Sequence, residues 1–379
     1  MSFLEANIRS VPTGFSKILY FNWPLALLLI AVASTGFLML YSVAGGTLDR
    51  WAEPQIIRFS MGLVLMIFMA MVPISFWREI SILAYIGGVI LLILVPYVGE
   101  TRGGAQRWID LRFMVLQPSE LMKISLVMML AYYYDWLDER KVSHPFWVLV
   151  PIVLALIPTA LVLTQPDLGT SLLLLAGAAV MMFIAGVHWG YFAAAILSGV
   201  LLVTAVFETK GTDYQLLKDY QYKRIETFVD PSSDPLGSGY HITQSKIALG
   251  SGGMTGRGYM QGTQSRLNFL PEKHTDFIFT TLGEEFGFVG GIVLLLLYAL
   301  ILLFCLASAL SNRDRFGALV TLGVGATFFF YFAINMSMVM GLAPVVGVPL
   351  PLVSYGGSAM MVLMAAFGLV QSAHVHRPR

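Results

Sequence analysis

The stretch FLPEKHTDFIFTTLGEEFGFVGGIVLLLLYALILLFC, Phe269 to Cys305, decides the fold. Glu272, Lys273, His274 and Asp276 crowd its mouth, and the run that follows is apolar to Cys305 apart from Thr280, Thr281, Glu284 and Glu285. Such a run is longer than the roughly 20 residues that cross a bilayer. Charge at the entrance of a membrane helix, and inside it, is costly and usually faces a polar interior.

The rest of the chain has the same character. Its 379 residues are 57% hydrophobic and 12% charged, with a mean hydropathy of +0.76. A soluble domain carries about twice that charged fraction. The expectation is an all-α polytopic membrane bundle of about ten transmembrane helices, forming one integral membrane domain over 1–379. The spans read as 20–44, 55–73, 79–97, 117–134, 146–163, 170–186, 190–207, 277–305, 317–340 and 353–372. The first run lacks a cleavage-site pattern and reads as an uncleaved span. A net charge of +1 gives no general attraction to nucleic acid. The single cysteine, Cys305, excludes a disulfide or thiolate cluster within one chain, and the six histidines form no metal-ligand grouping.

An even span count puts both termini on one side. With the N-terminus inside, the inner loops and termini hold nine Lys and Arg, including Arg9, Lys17 and Arg379, and the outer loops six. The excess favours cytoplasmic termini. Arg102, Arg107 and Arg112 nevertheless share one short outer loop. They contact anionic headgroups or they bind something anionic outside; charge alone leaves both open. Segment 208–276 reads as a large extracytoplasmic loop between spans 7 and 8, rich in Gly, Ser, Asp and Pro. A short amphipathic helix is expected at YHITQSKIAL, and the loop is expected to fold over the outer face.

Within that loop GSGGMTGRG, Gly250 to Gly258, lacks the spacing of a dinucleotide motif. Its glycines suit tight packing of the chain, or backbone N–H groups approaching an anion. In RGGAQRWIDLRFMVLQPSELMKISL, Arg102 to Leu126, Pro118 suits a helix start with Gln117 or Ser119 helping to cap it. Glu120 and Lys123 are three apart and share a helix face. They are either an ion pair that staples the bundle or, with Arg102 and Arg107, part of an anion site. Asp167, in TQPDLGTS, is an ordinary helix cap or a wall of a polar outer cavity. GLAPVVGVPLPLVSYGGS, Gly341 to Ser358, reads as non-helical backbone at membrane depth, which requires protein or a cavity around it. Asp276, Thr280, Gly283 and Gly287 fall on one helical stripe, with Asp276 capping it or serving as a catalytic acid. Thr281 and Glu284 also match a capping box, which would start the helix later. Glu284 and Glu285 read as interior partners for a basic residue of another helix.

Taken in order, GAQRWIDL, QPSELMK, QPDLGTS, DPLGSGYHITQSKIALGSGG, GTQSRLNFLPEKHTDFIF and PVVGVPLPLVSYGGS closely resemble the SEDS family (shape, elongation, division and sporulation) over nearly the whole chain. The loop wording is similar to the elongation branch rather than the division branch. The resemblance implies a peptidoglycan glycosyltransferase of the bacterial cytoplasmic membrane. It would polymerise lipid II on the outer face, beside a class B penicillin-binding protein. It puts the family's essential acid on Asp276 and its paired charges on Glu120 and Lys123. The substrate-binding residues are then expected to be Arg102, Arg107, Glu120, Lys123 and Asp167, with Lys246 or Arg257 assisting. No cofactor and no metal are implied, and dependence on a divalent cation stays open. Two other readings share these features: a flippase moving lipid II across the membrane, and a non-catalytic scaffold for the penicillin-binding protein. The gathering of charged motifs on one side favours chemistry there.

Overall fold

A computed structural model describes residues 14–102, 105–110, 115–209, 222, 238–267, 269–270 and 272–377. After a 3₁₀ segment, Gly14–Tyr20, come α1 (Trp23–Val43), α2 (Ala52–Met71) and α3 (Ile74–Val98). Three short strands follow, β1 (Glu100–Arg102), β2 (Ala105–Asp110) and β3 (Val115–Leu116), then α4 (Pro118–Trp136), α5 (Pro145–Thr164), α6 (Leu168–Ile184) and α7 (Trp189–Glu208). The remaining helices are α8 (Ser238–Gly252), α9 (Thr263–Arg266), α10 (Ile278–Leu310), α11 (Arg315–Val339) and α12 (Gly357–Val375). Each of the ten spans expected from hydropathy overlaps one helix, leaving α8 and α9 in the long connection. Among the described residues eight helices are long and apolar enough to cross a membrane. The shorter α6 is apolar as well, and α4 carries Glu120, Lys123 and Asp135. The chain is a multi-pass, all-α membrane protein with one small sheet.

Small residues and polar pairs hold the bundle where burial from water cannot. The helices α2 and α12 make the most extensive pairing. A Cβ on Gly62 would meet the Met364 side chain at 2.8 Å, and one on Gly368 would meet Met69 at 2.8 Å. The backbone N of Asn22 donates to Gln371 Oε1 (2.9 Å), and Gln371 Nε2 donates back to Asn22 O (3.0 Å). This pins the start of α1 to the end of α12. By contrast α7 has only 6% of its span buried, and Ile196, Leu197 and Leu201 point away from the bundle.

Segment 341–356 is non-helical, as the prolines and glycines imply. Its carbonyls are met by side chains from three helices. Tyr298 Oη donates to Pro351 O (2.6 Å), Asn335 Nδ2 to Val348 O (2.7 Å) and Gln55 Nε2 to Ser354 O (2.9 Å). Irregular backbone among membrane helices persists only when its polar groups are satisfied in this way.

A helix, α8, does stand where one was expected, but it is not amphipathic: it lays Ile242, Ser245 and Ala248 against α10 and the end of α11 while Ile247 is exposed. Ser245 Oγ donates to Val339 O (2.7 Å) and lies 3.1 Å from Thr280 Oγ1. The stripe Thr280–Gly283 is therefore the seat of α8. The glycines of GSGGMTGRG serve close packing: Cβ atoms on Gly252 or Gly256 would collide with the backbone of Gly283 to Phe286. Here α10 is interrupted, with Gly287 at φ +64°, a conformation that glycine adopts readily. The break is covered by backbone bonds to the preceding loop. Arg257 N donates to Glu284 O and Gly258 N to Glu285 O (both 3.0 Å), while Phe288 N donates to Gly253 O (2.9 Å).

Three further expectations need correction. The loop after α3 is an antiparallel sheet in the order β1-β2-β3, with Thr101 opposite Gln106 and Ile109 opposite Leu116. Among the described residues Glu284 and Glu285 pair with no basic residue. Glu284 Oε1 accepts from Thr263 N (2.7 Å), Thr263 Oγ1 (2.9 Å) and Gln264 N (3.1 Å). It thus satisfies the start of α9, whose N-cap, Gly262, has no side chain to offer. Glu285 accepts from the Ser42 hydroxyl on α1. Finally, α10 starts at Ile278 with Phe277 as its N-cap, so Thr281 and Glu284 lie inside the helix and form no capping box.

Candidate active site

The starts of α4 and α6, the turn before α10 and segment 347–359 converge on one cavity of about 190 Å³. Arg107, Glu120, Lys123, Asp167 and Asp276 all line it. The cavity thus gathers five of the eight expected site residues from four separate stretches of sequence.

Glu120 and Lys123, one helical turn apart on α4, are 5% and 4% exposed. Lys123 Nζ lies 2.7 Å from Glu120 Oε1. Tyr331 closes the group, donating to Glu120 Oε2 (2.6 Å) and lying against Lys123 Nζ. A buried ion pair is tolerated when its remaining atoms are also hydrogen-bonded. Tyr331 supplies that third corner, and it is hard to single out by reading the aromatic run of α11 alone. Its one signal is Asn335, a second buried polar residue one turn further on the same helix.

On the facing wall Arg107 reaches out of β2. Its Nε donates to Gln165 O (2.9 Å), its Nη2 to Pro166 O (2.5 Å), and its Nη1 lies 3.6 Å from Asp167 Oδ2. Asp167 is at once a cap and a cavity wall. Its Oδ1 accepts from Thr170 N (3.1 Å), and its Oδ2 accepts from Thr170 Oγ1 (2.9 Å) and Gln117 Nε2 (3.3 Å). Gln117 therefore reaches across to Asp167, and no side chain caps α4.

Asp276 differs from all of these. Its backbone is held: Asn335 Nδ2 donates to Asp276 O (2.8 Å), Tyr355 N to His274 O (2.9 Å), and Ser354 Oγ to Thr275 O (2.5 Å). His274 also stacks on Trp51, with 4.6 Å between ring centroids. The Asp276 carboxylate itself accepts no hydrogen bond among the described residues, and Gly347 stands beside it with no side chain to cover it. Burial pushes its pKa from 3.8 up to about 6, and the charges of Glu272 and Asp167 push the same way. A carboxylate tuned toward neutrality and open to a cavity is suited to accept a proton.

The other expected residues lie elsewhere. Lys246, exposed on α8, packs against Gly341 at the end of α11. Arg257 is exposed and holds its own loop through Ser251 O (3.3 Å) and Thr263 Oγ1 (3.0 Å). Neither lines the cavity. Arg102 ends β1, where its backbone pairs with Ala105; its side chain, like Arg9, Arg112 and Arg379, lies outside the described residues. Among the described residues no group of three His, Cys, Asp or Glu side chains is gathered to hold a metal ion.

Fold and cavity define a multi-pass membrane protein with a polar, charged pocket at the sheet end of its bundle. The profile of the cell cycle protein family FtsW/RodA/SpoVE matches residues 22–379, and the chain belongs to that family, the SEDS family of the motif resemblance. It is 43% identical to the peptidoglycan glycosyltransferase MrdB of Escherichia coli, over 93% of this chain and 92% of that protein. It is 33% identical to the peptidoglycan glycosyltransferase RodA of Treponema pallidum, over 94% and 98%. Among solved structures it matches a chain from work on the coordination of polymerization and crosslinking by a peptidoglycan synthase complex, at TM-score 0.82 and 31% identity over 94% and 98% of the two chains. The crystal structure of Thermus thermophilus rod shape determining protein RodA matches at TM-score 0.70 and 27% identity, over 94% and 97%.

Proposed function

We propose that this chain is a peptidoglycan glycosyltransferase that polymerises lipid II during cell elongation, with Asp276 as its general base. The observation that carries the reading is the Asp276 carboxylate. It has no hydrogen-bond donor among the described residues, has a pKa raised to about 6, and shares its cavity with Arg107 and Lys123. The close relatives named as peptidoglycan glycosyltransferases support the reaction class.

The chemistry follows from the substrate. Lipid II carries its sugar on an undecaprenyl diphosphate, a good leaving group. Such a group needs charge stabilisation more than it needs a proton. One carboxylate then suffices, unlike the acid and base pair of an inverting glycoside hydrolase. Asp276 takes the proton of the acceptor 4-hydroxyl. The oxygen attacks the donor anomeric carbon from the face opposite the diphosphate. The new carbon–oxygen bond forms as the bond to the diphosphate breaks, with inversion, and the departing oxygen keeps the electron pair. Arg107 and Lys123, with Arg102 on the neighbouring strand, offset the developing charge. Glu120 and Tyr331 hold Lys123, and Asp167 holds Arg107. No cofactor enters this scheme.

In this reading both termini are cytoplasmic and the cavity opens on the outer face, where the excess of short-loop arginines would serve the substrate. A class B penicillin-binding protein is the expected partner. The structural relative from a peptidoglycan synthase complex supports an assembly of that kind.

The test is polymerisation of purified lipid II in detergent, with and without that partner, by wild type and Asp276→Asn. Detergent abolishes the two compartments, so a flippase has no task there. Long glycan strands from wild type alone are the expected result. Strands from both proteins would move the base elsewhere. No strands under any condition would overturn the polymerase.

A further inference from the structure

The first turn of α12 opens onto the cavity, which Gly356, Gly357, Ser358 and Ala359 line. The N-cap of α12, Gly356, brings no side chain to the leading backbone N–H groups. These groups and the helix dipole together make a positive end. Ser358 is 1% exposed, and its hydroxyl has no hydrogen-bond partner. Behind this turn stands Arg58 of α2. Its buried Nη1 also lacks a partner, and its guanidinium carbon sits 5.0 Å from the centre of the Tyr355 ring. No described carboxylate pairs with it. Only a glycine separates Arg58 from the helix start, since a Cβ on Gly357 would already touch the guanidinium at 3.8 Å.

The cations on the cavity wall are in a different state. Lys123 is committed to Glu120 and Tyr331, and Arg107 to two carbonyls and Asp167. A buried hydroxyl, an uncapped helix start and an unpaired guanidinium each cost free energy until an acceptor arrives. A phosphate oxyanion at the helix start would take the Ser358 hydroxyl and the leading N–H groups, while Arg58, which does not itself line the cavity, adds its charge from behind Gly357.

We propose that the start of α12, the Ser358 hydroxyl and Arg58 form a diphosphate subsite distinct from the Arg107–Lys123 wall. This rests on the polymerase reading above. Joining two lipid-linked sugars brings two diphosphates to one cavity, one that departs and one that stays with the acceptor. The two walls each take one.

The test is equilibrium binding of radiolabelled undecaprenyl diphosphate to the full-length protein in detergent. Wild type, Arg58→Met, Arg58→Lys, Ser358→Ala, Arg107→Met and Asp276→Asn are compared. Wild type is expected to bind two equivalents. Arg58→Met and Ser358→Ala should weaken one of them about 10–100-fold, the range of a lost charge-assisted hydrogen bond, and leave the other intact. Arg58→Lys should recover part of the loss, and Arg107→Met should weaken the other equivalent. Inorganic pyrophosphate should displace the Arg58-dependent ligand, and undecaprenol should not. Binding that ignores both Arg58 and Ser358, or displacement by undecaprenol, would overturn the subsite. Binding needs no turnover, so Asp276→Asn should bind as wild type does. Activity retained by Asp276→Asn would thus refute the catalytic reading without touching this one.

Discussion

Asp276 and Glu284 stand on one continuous stretch, a short way apart, and do opposite things. Glu284 is fully buried and accepts from two backbone N–H groups and a hydroxyl at the start of α9. Asp276 keeps partial access to the cavity and accepts nothing from the described residues. An acid with its acceptor sites filled fixes a fold; an acid with them empty is free to take a proton. The difference comes from the neighbours. Glu284 meets a helix start with no capping side chain, while Asp276 meets Gly347, which offers none. The Glu120–Lys123–Tyr331 group falls between the two, lining the cavity yet internally satisfied.

Four changes tell the two acids apart. The largest effect is expected from Asp276→Asn, which should reduce lipid II polymerisation by at least about 100-fold, the lower end for general base catalysis. The purified protein should still fold, as judged by its melting temperature. Lys123→Met comes next. It leaves Glu120 buried without its counter-charge, a loss of about 3–5 kcal/mol in stability. Adding Glu120→Gln should restore most of the melting temperature without restoring activity; a double variant as unstable as the single one would contradict the pairing. Glu284→Gln should cost about 1.5–3 kcal/mol, the worth of a hydrogen bond to a charged group. Its rate per folded molecule should stay far above that of Asp276→Asn. Equal losses of rate in the two would erase the contrast between these acids.

The smallest effect is on the pH dependence of stability. Asp276 has its folded pKa raised from 3.8 to about 6. The favourable contribution of its protonated form is therefore full below about pH 4 and is lost as pH rises through about 6. Wild type and Asp276→Asn should melt alike at pH 4, with the variant gaining an advantage toward pH 7. The polymerisation rate of wild type should rise over the same interval as the base form appears. A flat rate profile from pH 5 to 7 would contradict a base of this pKa.

Much of the fold is legible in hydropathy alone, because each span is a local run of apolar residues. The ten expected ranges all overlap helices, and the glycine and proline punctuation marks segment 341–356 as irregular. The strands β1 to β3 escaped notice because two to six residues carry too little periodicity. Within the site, Asp276, Glu120, Lys123, Asp167 and Arg107 were legible as charges that an apolar chain has reason to hide. Tyr331 and Ser358 were not, since a tyrosine in an aromatic run and a serine after two glycines look ordinary until their neighbours are known, and Arg58 was visible only as one of the six outer basic residues. Lys246 and Arg257 were legible as charges but face other surroundings.

Local composition is enough to place this chain among membrane helices and to show which few charges it carries there, because the cost of charge in an apolar run is set by its immediate neighbours in sequence. The family followed from the wording of its motifs. Which of those charges are satisfied depends on how the helices pack. Partners such as Tyr331 for Lys123, the start of α9 for Glu284 and the bare Gly347 beside Asp276 come from distant parts of the chain. Their meeting is fixed by helix packing, and that packing separates Glu284, which holds the start of α9, from Asp276, whose carboxylate accepts no hydrogen bond among the described residues.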